Sequence, residues 1–256
     1  MRIGKYNFRP TWFLSIMAVA LVVVALILAN WQFNRADQKR LIEHKRALNS
    51  SQDKIRLSKR DTDVDALLYR DAEVVGQYDL MQQFLLENQK YKGVPGYHVF
   101  TPFRLKGTDV WILINRGWVK QGQDRKFLPP LKAETGIVSL EGKIENVPGI
   151  GMKMGEPGQR DGVWPKRVTY IELPWIEVET KYHYLPYVLY QTKGKDFGLV
   201  RDWKQRFEAK ERMTPEKHTG YAVQWLSLGL LVIIMFLVLS LKKIKQDQIS
   251  GVKQGE

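Results

Sequence analysis

The chain of 256 residues carries 40 Lys and Arg against 27 Asp and Glu, a formal net charge of +13, and no cysteine. The missing thiols exclude disulfide staples, thiolate zinc or copper sites and covalent c-type haem attachment. Any metal must therefore be held by His44, His98, His183, His218, methionine, tyrosine or carboxylates. The N-terminal tail (Arg2, Lys5, Arg9) holds +3 of the charge and the C-terminal tail +2 (four lysines less Asp247 and Glu256), leaving +8 between them. No recognition motif or groove-sized basic helix supports a nucleic-acid partner. Much of the charge lies close to two apolar runs, where anionic lipid is the simpler counterpart.

The first run, Trp12 to Ala29, has Ser15 as its only polar member, and the second, Thr219 to Leu241, has no charge. A spanning helix needs about 20 mostly apolar residues, so both runs predict transmembrane helices, over 12–31 and 219–241. The first follows a basic tail, as a cleaved signal peptide would. Its apolar run is longer than a usual signal core, and no small-x-small cleavage site stands near Ala29, which favours an uncleaved anchor. Two spans put the tails 1–11 and 242–256 on one side, and roughly residues 31–218 on the other. Local Lys/Arg counts do not orient the pair, because basic residues crowd both ends of each span. A short basic tail before an apolar run reads as an export signal, which places the tails in the cytoplasm.

The segment 32–65 reads as a stalk, with the first helix continuing to about Leu48. Residues 66–205 then read as strands. Tyr97, Val99, Thr101, Phe103 and Leu105 alternate on one face, against His98 and Arg104 on the other. Lys106 to Asp109 is a turn, and Val110 to Asn115 returns as VWILIN. Val138, Leu140, Gly142 and Ile144 alternate again. Glu73–Tyr78, Phe84–Asn88, Arg167–Ile171 and Tyr187–Thr192 complete the expected strands, with Pro148–Gly158 a long mobile loop and Pro174–Tyr182 a short helix. The fold class expected is a membrane protein whose two transmembrane helices flank a β-rich, mainly antiparallel or barrel-like, extracytoplasmic domain. No G-x-S-x-G, H-E-x-x-H, P-loop or G-x-G-x-x-G occurs, and no pair of carboxylates suggests acid–base work, so a non-enzymatic role is expected.

The juxtamembrane segment 206–218 opens the second helix. Thr214 is a good N-cap and Pro215 a good first helical residue, which puts His218 at N4. Tyr221 and Trp225 follow at i+3 and i+7, on the same face, and Gly229 continues that face, where a flat macrocycle or a partner helix could come close. The residues alone leave two readings: an aromatic belt at the membrane boundary, or a metal or haem site. His98 is expected to be exposed, His44 to belong to the charged stalk, and His183 to pack among Tyr182 and Tyr184.

The run YKGVPGYHVFTPF (91–103), with VWILINRGWVK (110–120), resembles the signature of the surfeit locus protein 1 family, assembly factors for haem–copper cytochrome oxidase. The shared positions are Gly96, Tyr97, Val99, Thr101 and Pro102, then Asn115, Arg116, Gly117, Trp118 and Val119, then His218, Tyr221, Ala222 and Trp225. The family often has Pro where Lys120 stands, and an Asn pair where Glu216 and Lys217 stand. The resemblance implies a protein that helps haem a reach the catalytic subunit of cytochrome c oxidase, with the haem a biosynthesis enzyme as a further partner. It implies His218 as an axial ligand of the haem iron, with Tyr221 and Trp225 shaping the pocket. The lack of a long Arg- and Ser-rich presequence favours a bacterial inner membrane over a mitochondrion. A haem-free scaffold that holds the catalytic subunit during cofactor loading is the alternative. Arg116 could grip a propionate or a partner carboxylate bidentately, or lock a turn beside a packed Trp.

Overall fold

The computed structural model describes residues 2–3, 6–58, 63–124, 127–149, 151, 153, 155–203 and 213–243. The chain divides into two compact units, Met1–Glu43 with Lys210–Glu256, and His44–Ala209. Of the expected juxtamembrane and C-terminal segments, 206–212 and 244–256 lie outside the described residues.

The first unit is a helix pair closed by a small sheet. Strands β1 (Arg2–Ile3) and β2 (Tyr6–Phe8) precede helix α1 (Trp12–Ser50), which begins at the expected residue and runs two residues past Leu48. The remaining elements follow in order: β3 (Ile55–Arg56), α2 (Val64–Leu67), β4 (Asp71–Tyr78), β5 (Phe84–Tyr91), β6 (Val94–Leu105), β7 (Val110–Lys120), β8 (Val138–Glu145), β9 (Lys166–Val168), α3 (Leu173–Thr180), β10 (His183–Gln191), α4 (Pro215–Ser240) and β11 (Leu241–Lys243). In the first unit β2 pairs antiparallel with both β1 and β11. The two tails therefore carry a three-stranded sheet where the sequence suggested only basic extensions. The helices α1 and α4 are long and apolar enough to cross a membrane, and their aliphatic side chains mostly face outward.

The second unit is built on a five-stranded barrel. Its ring runs β4–β8–β10–β7–β6 and closes through β6 back onto β4. All pairs are antiparallel except β7 with β10. The alternation seen along 103–105 and 138–144 has its reason here, since every second residue enters the barrel, whereas Tyr97 and Val99 pack with Leu85 and Leu199 in a separate cluster. Val74, Tyr78, Phe103, Leu105, Ile112, Ile114, Leu140, Ile144, Tyr187 and Leu189 fill it. Burying each such aliphatic or aromatic side chain contributes about 1.5–3 kcal/mol. The VWILIN stretch is apolar on both faces because its other face is covered too: Leu113 packs with Phe84, Phe100, Val188 and Tyr190 under Trp175 and Ile176 of α3.

Strand β6 serves two partners along one edge, β5 for its first half and β4 for its second. Pro102 sits at the changeover. Its carbonyl accepts from Asp79 N (2.9 Å), so its ring nitrogen points to that same interrupted edge, where no ladder donor is required. Trp118 accounts for Gly96: a Cβ there would stand 2.4 Å from the indole, whose Nε1 donates to the Gln89 carbonyl at 3.0 Å.

Candidate functional site

His218 lies on α4, in the first unit. Thr214 caps the helix, its hydroxyl accepting from Lys217 N, and Pro215 fills the first turn, as the sequence indicates. The imidazole is buried, 6% exposed, and faces α1. Its Nδ1 stands 2.7 Å from Oε1 of Gln32. An amide oxygen cannot donate, so Nδ1 carries the hydrogen in this contact, and in the neutral imidazole Nε2 is then the nitrogen with the lone pair. No described residue hydrogen-bonds that Nε2.

The packing around this pair follows from small side chains. Ala25, Ala29, Gln32 and Ala36 form the buried stripe of α1, and Pro215, His218, Ala222 and Gly229 that of α4. A Cβ on Gly229 would lie 3.3 Å from Ala25 Cβ, so the close approach anticipated at Gly229 is made by α1 itself. Farther along α1, Arg40 Nη2 donates to Thr219 Oγ1 at 3.0 Å. Ala222, at i+4 from His218, is fully buried; Trp225 is half-buried and Tyr221 faces outward at 44% exposure. The expected single face is thus centred nearer Ala222 than Tyr221.

Arg116 belongs to the second unit and is 1% exposed. Between the pairs Asn115–Phe100 and Gly117–Val99 it is the extra residue of a β-bulge, which turns its side chain toward the barrel end. Nη1 donates to Gln83 Oε1 (3.0 Å) and, more weakly, to Thr101 Oγ1 (3.5 Å); Nη2 donates to the Lys132 carbonyl, and the guanidinium lies over the Tyr78 ring. Among the described residues no carboxylate pairs with it. Burial holds its pKa below the usual arginine value, and burial likewise pushes Tyr78 up to about 12. Gly117 follows at φ 142°, and a Cβ there would be 2.8 Å from Leu199 Cβ. Asn115, Arg116, Gly117 and Trp118 therefore build a bulge and its cover.

The other three histidines belong to the second unit. His44 is exposed on α1. His98, expected to be exposed, is half-buried and stacks on Trp203 at 5.5 Å between ring centroids. His183, expected to pack among tyrosines, is exposed; it is Trp111 that stacks on Tyr182, at 3.8 Å. No group of three or more His, Asp or Glu able to hold a metal ion occurs among the described residues.

The model of the SURF1 family matches residues 19–230, from within α1 to within α4. The chain belongs to the SURF1 family. A SURF1-like protein of Caenorhabditis briggsae is 26% identical over 248 residues, covering 87% of this chain and 74% of that protein. The SURF1 family is known in general as one of cytochrome oxidase assembly factors, an assembly family and not a catalytic one. The match takes in both runs that form the bulge and the strand changeover, and His218 with its helix.

Proposed function

We propose that this SURF1-family chain assists the delivery or insertion of haem a into the catalytic subunit of haem–copper cytochrome c oxidase, with His218 as an axial ligand of the haem iron. The observation that carries the reading is the state of the imidazole: Nδ1 is engaged by Gln32, while Nε2 has no hydrogen bond among the described residues. A porphyrin iron brings four equatorial nitrogens and asks the protein for one or two axial donors. A lone, oriented imidazole therefore suits it, with no multi-residue metal site among the described residues. Bound haem would supply a Lewis-acidic iron; the chain's own part is to present Nε2, with Trp225 and Tyr221 beside it on α4. The group is cargo for the catalytic subunit in this account, and the haem a biosynthesis enzyme is the natural donor.

The reading places the chain in a bacterial inner membrane, tails in the cytoplasm and barrel domain in the periplasm. Alkaline phosphatase fused after Gly158 should be active, and fused after Gly251 inactive; the reverse pattern would overturn the orientation. The Soret spectrum of the full chain purified from cells that make haem a tests the carrier role. A stoichiometric haem a spectrum supports it, and a haem-free protein that still promotes oxidase assembly sinks it. The small-residue stripe favours a second reading, since His218–Gln32 could serve only to join two helices of a haem-free scaffold.

A further inference from the structure

Gln32 is out of place in its surroundings. Within the first unit the other buried residues of α1 are alanines, at 25, 29 and 36. A fourth alanine would continue the close helix contact without burying an amide, which has a cost unless its hydrogen bonds are met. The amide is nonetheless buried, and its oxygen stands 2.7 Å from His218 Nδ1, across 186 residues of sequence. A second bond, Arg40–Thr219, ties the same two helices separately.

We propose that Gln32 is the positioning residue for His218, an inference that rests on the reading of His218 as the haem ligand. By accepting the Nδ1 hydrogen, the Gln32 carbonyl fixes the tautomer, holds the ring plane and directs the Nε2 lone pair away from α1. A hydrogen-bonded Nδ1–H also makes Nε2 a more basic donor, as carbonyl and carboxylate partners do behind metal-bound histidines. Gln32 touches neither iron nor porphyrin in this role; it acts through the imidazole.

The test is a titration of detergent-purified full-length chains with haem a, reading affinity, the reduced visible spectrum and the midpoint potential of the bound haem. Gln32→Leu keeps the size and removes the acceptor. It should weaken binding about 10–100-fold, the range found when such partners are removed, and shift the potential upward. Gln32→Glu restores an acceptor and should recover tight binding with a lower potential, which a merely structural loss would not show. His218→Ala should not bind. If the wild type binds, His218→Ala does not, and Gln32→Leu keeps wild-type affinity, spectrum and potential, the Gln32 assignment is wrong and the ligand reading stands. Binding by His218→Ala equal to wild type, or none by the wild type, overturns both.

Discussion

Arg116 of the barrel and His218 of the helix pair are buried polar groups of opposite kinds. In the barrel Arg116 is shut in by large side chains, and its donors are taken by Gln83, Thr101 and the Lys132 carbonyl. In the helix pair His218 is buried on a stripe of mostly small residues, and only one of its ring nitrogens is engaged. A buried polar group whose capacity is used within its own fold is explained by that fold. One left with an unused lone pair at the mouth of an apolar helix invites a ligand. Two of the three motif runs thus account for the barrel, and the third carries the candidate site.

Substitutions in the barrel should therefore unfold it, and should do so most at Trp118. Trp118→Ala removes a buried indole and its bond to Gln89, and should destabilise the excised domain, residues 44–209, by about 3–5 kcal/mol; a loss under about 1 kcal/mol in urea melts would mean that the indole is not part of the core. Gly117→Ala comes next. Its φ of 142° and the 2.8 Å approach to Leu199 Cβ predict a cost of about 2–3 kcal/mol, read in the same melts.

The pH dependence of the barrel sharpens the contrast further. Tyr78 is raised from about 10 to about 12 by burial. Between those values the unfolded chain has lost the phenolic proton and the folded chain has kept it, so stability falls as pH rises through that window. The loss from this group should be roughly 3 kcal/mol, and Tyr78→Phe should lessen the fall without abolishing it, because burial raises Tyr184 as well. An unchanged slope in that variant would assign the titration elsewhere.

These effects were legible to different degrees. The strands were readable where one face meets a core, as along 97–105, because the period is local. Barrel closure was not, since the β4–β8 and β7–β10 pairings join distant segments. The tail sheet was invisible because β1, β2 and β11 span only two or three residues each, too few for any period to show. Arg116 carried no sign of its bulge beyond the neighbouring Gly117. Gln32 is hidden in the sequence because the apolar run predicts a span that ends at residue 31. Its signal was present in the 4-3-4 spacing of Ala25, Ala29, Gln32 and Ala36, with one polar member among alanines.

The smallest structural effect expected is at the candidate site itself. His218→Ala removes one interhelical hydrogen bond, worth about 0.6 kcal/mol on average within membranes, so protein level, membrane insertion and the detergent melt should hardly change. The haem a that co-purifies with this variant, compared with wild type at equal protein, is the measurement that bears most directly on the central claim. The account predicts that the haem falls to a small fraction or vanishes while the chain stays folded in the membrane. A full haem complement with normal oxidase activity in the cells would contradict it.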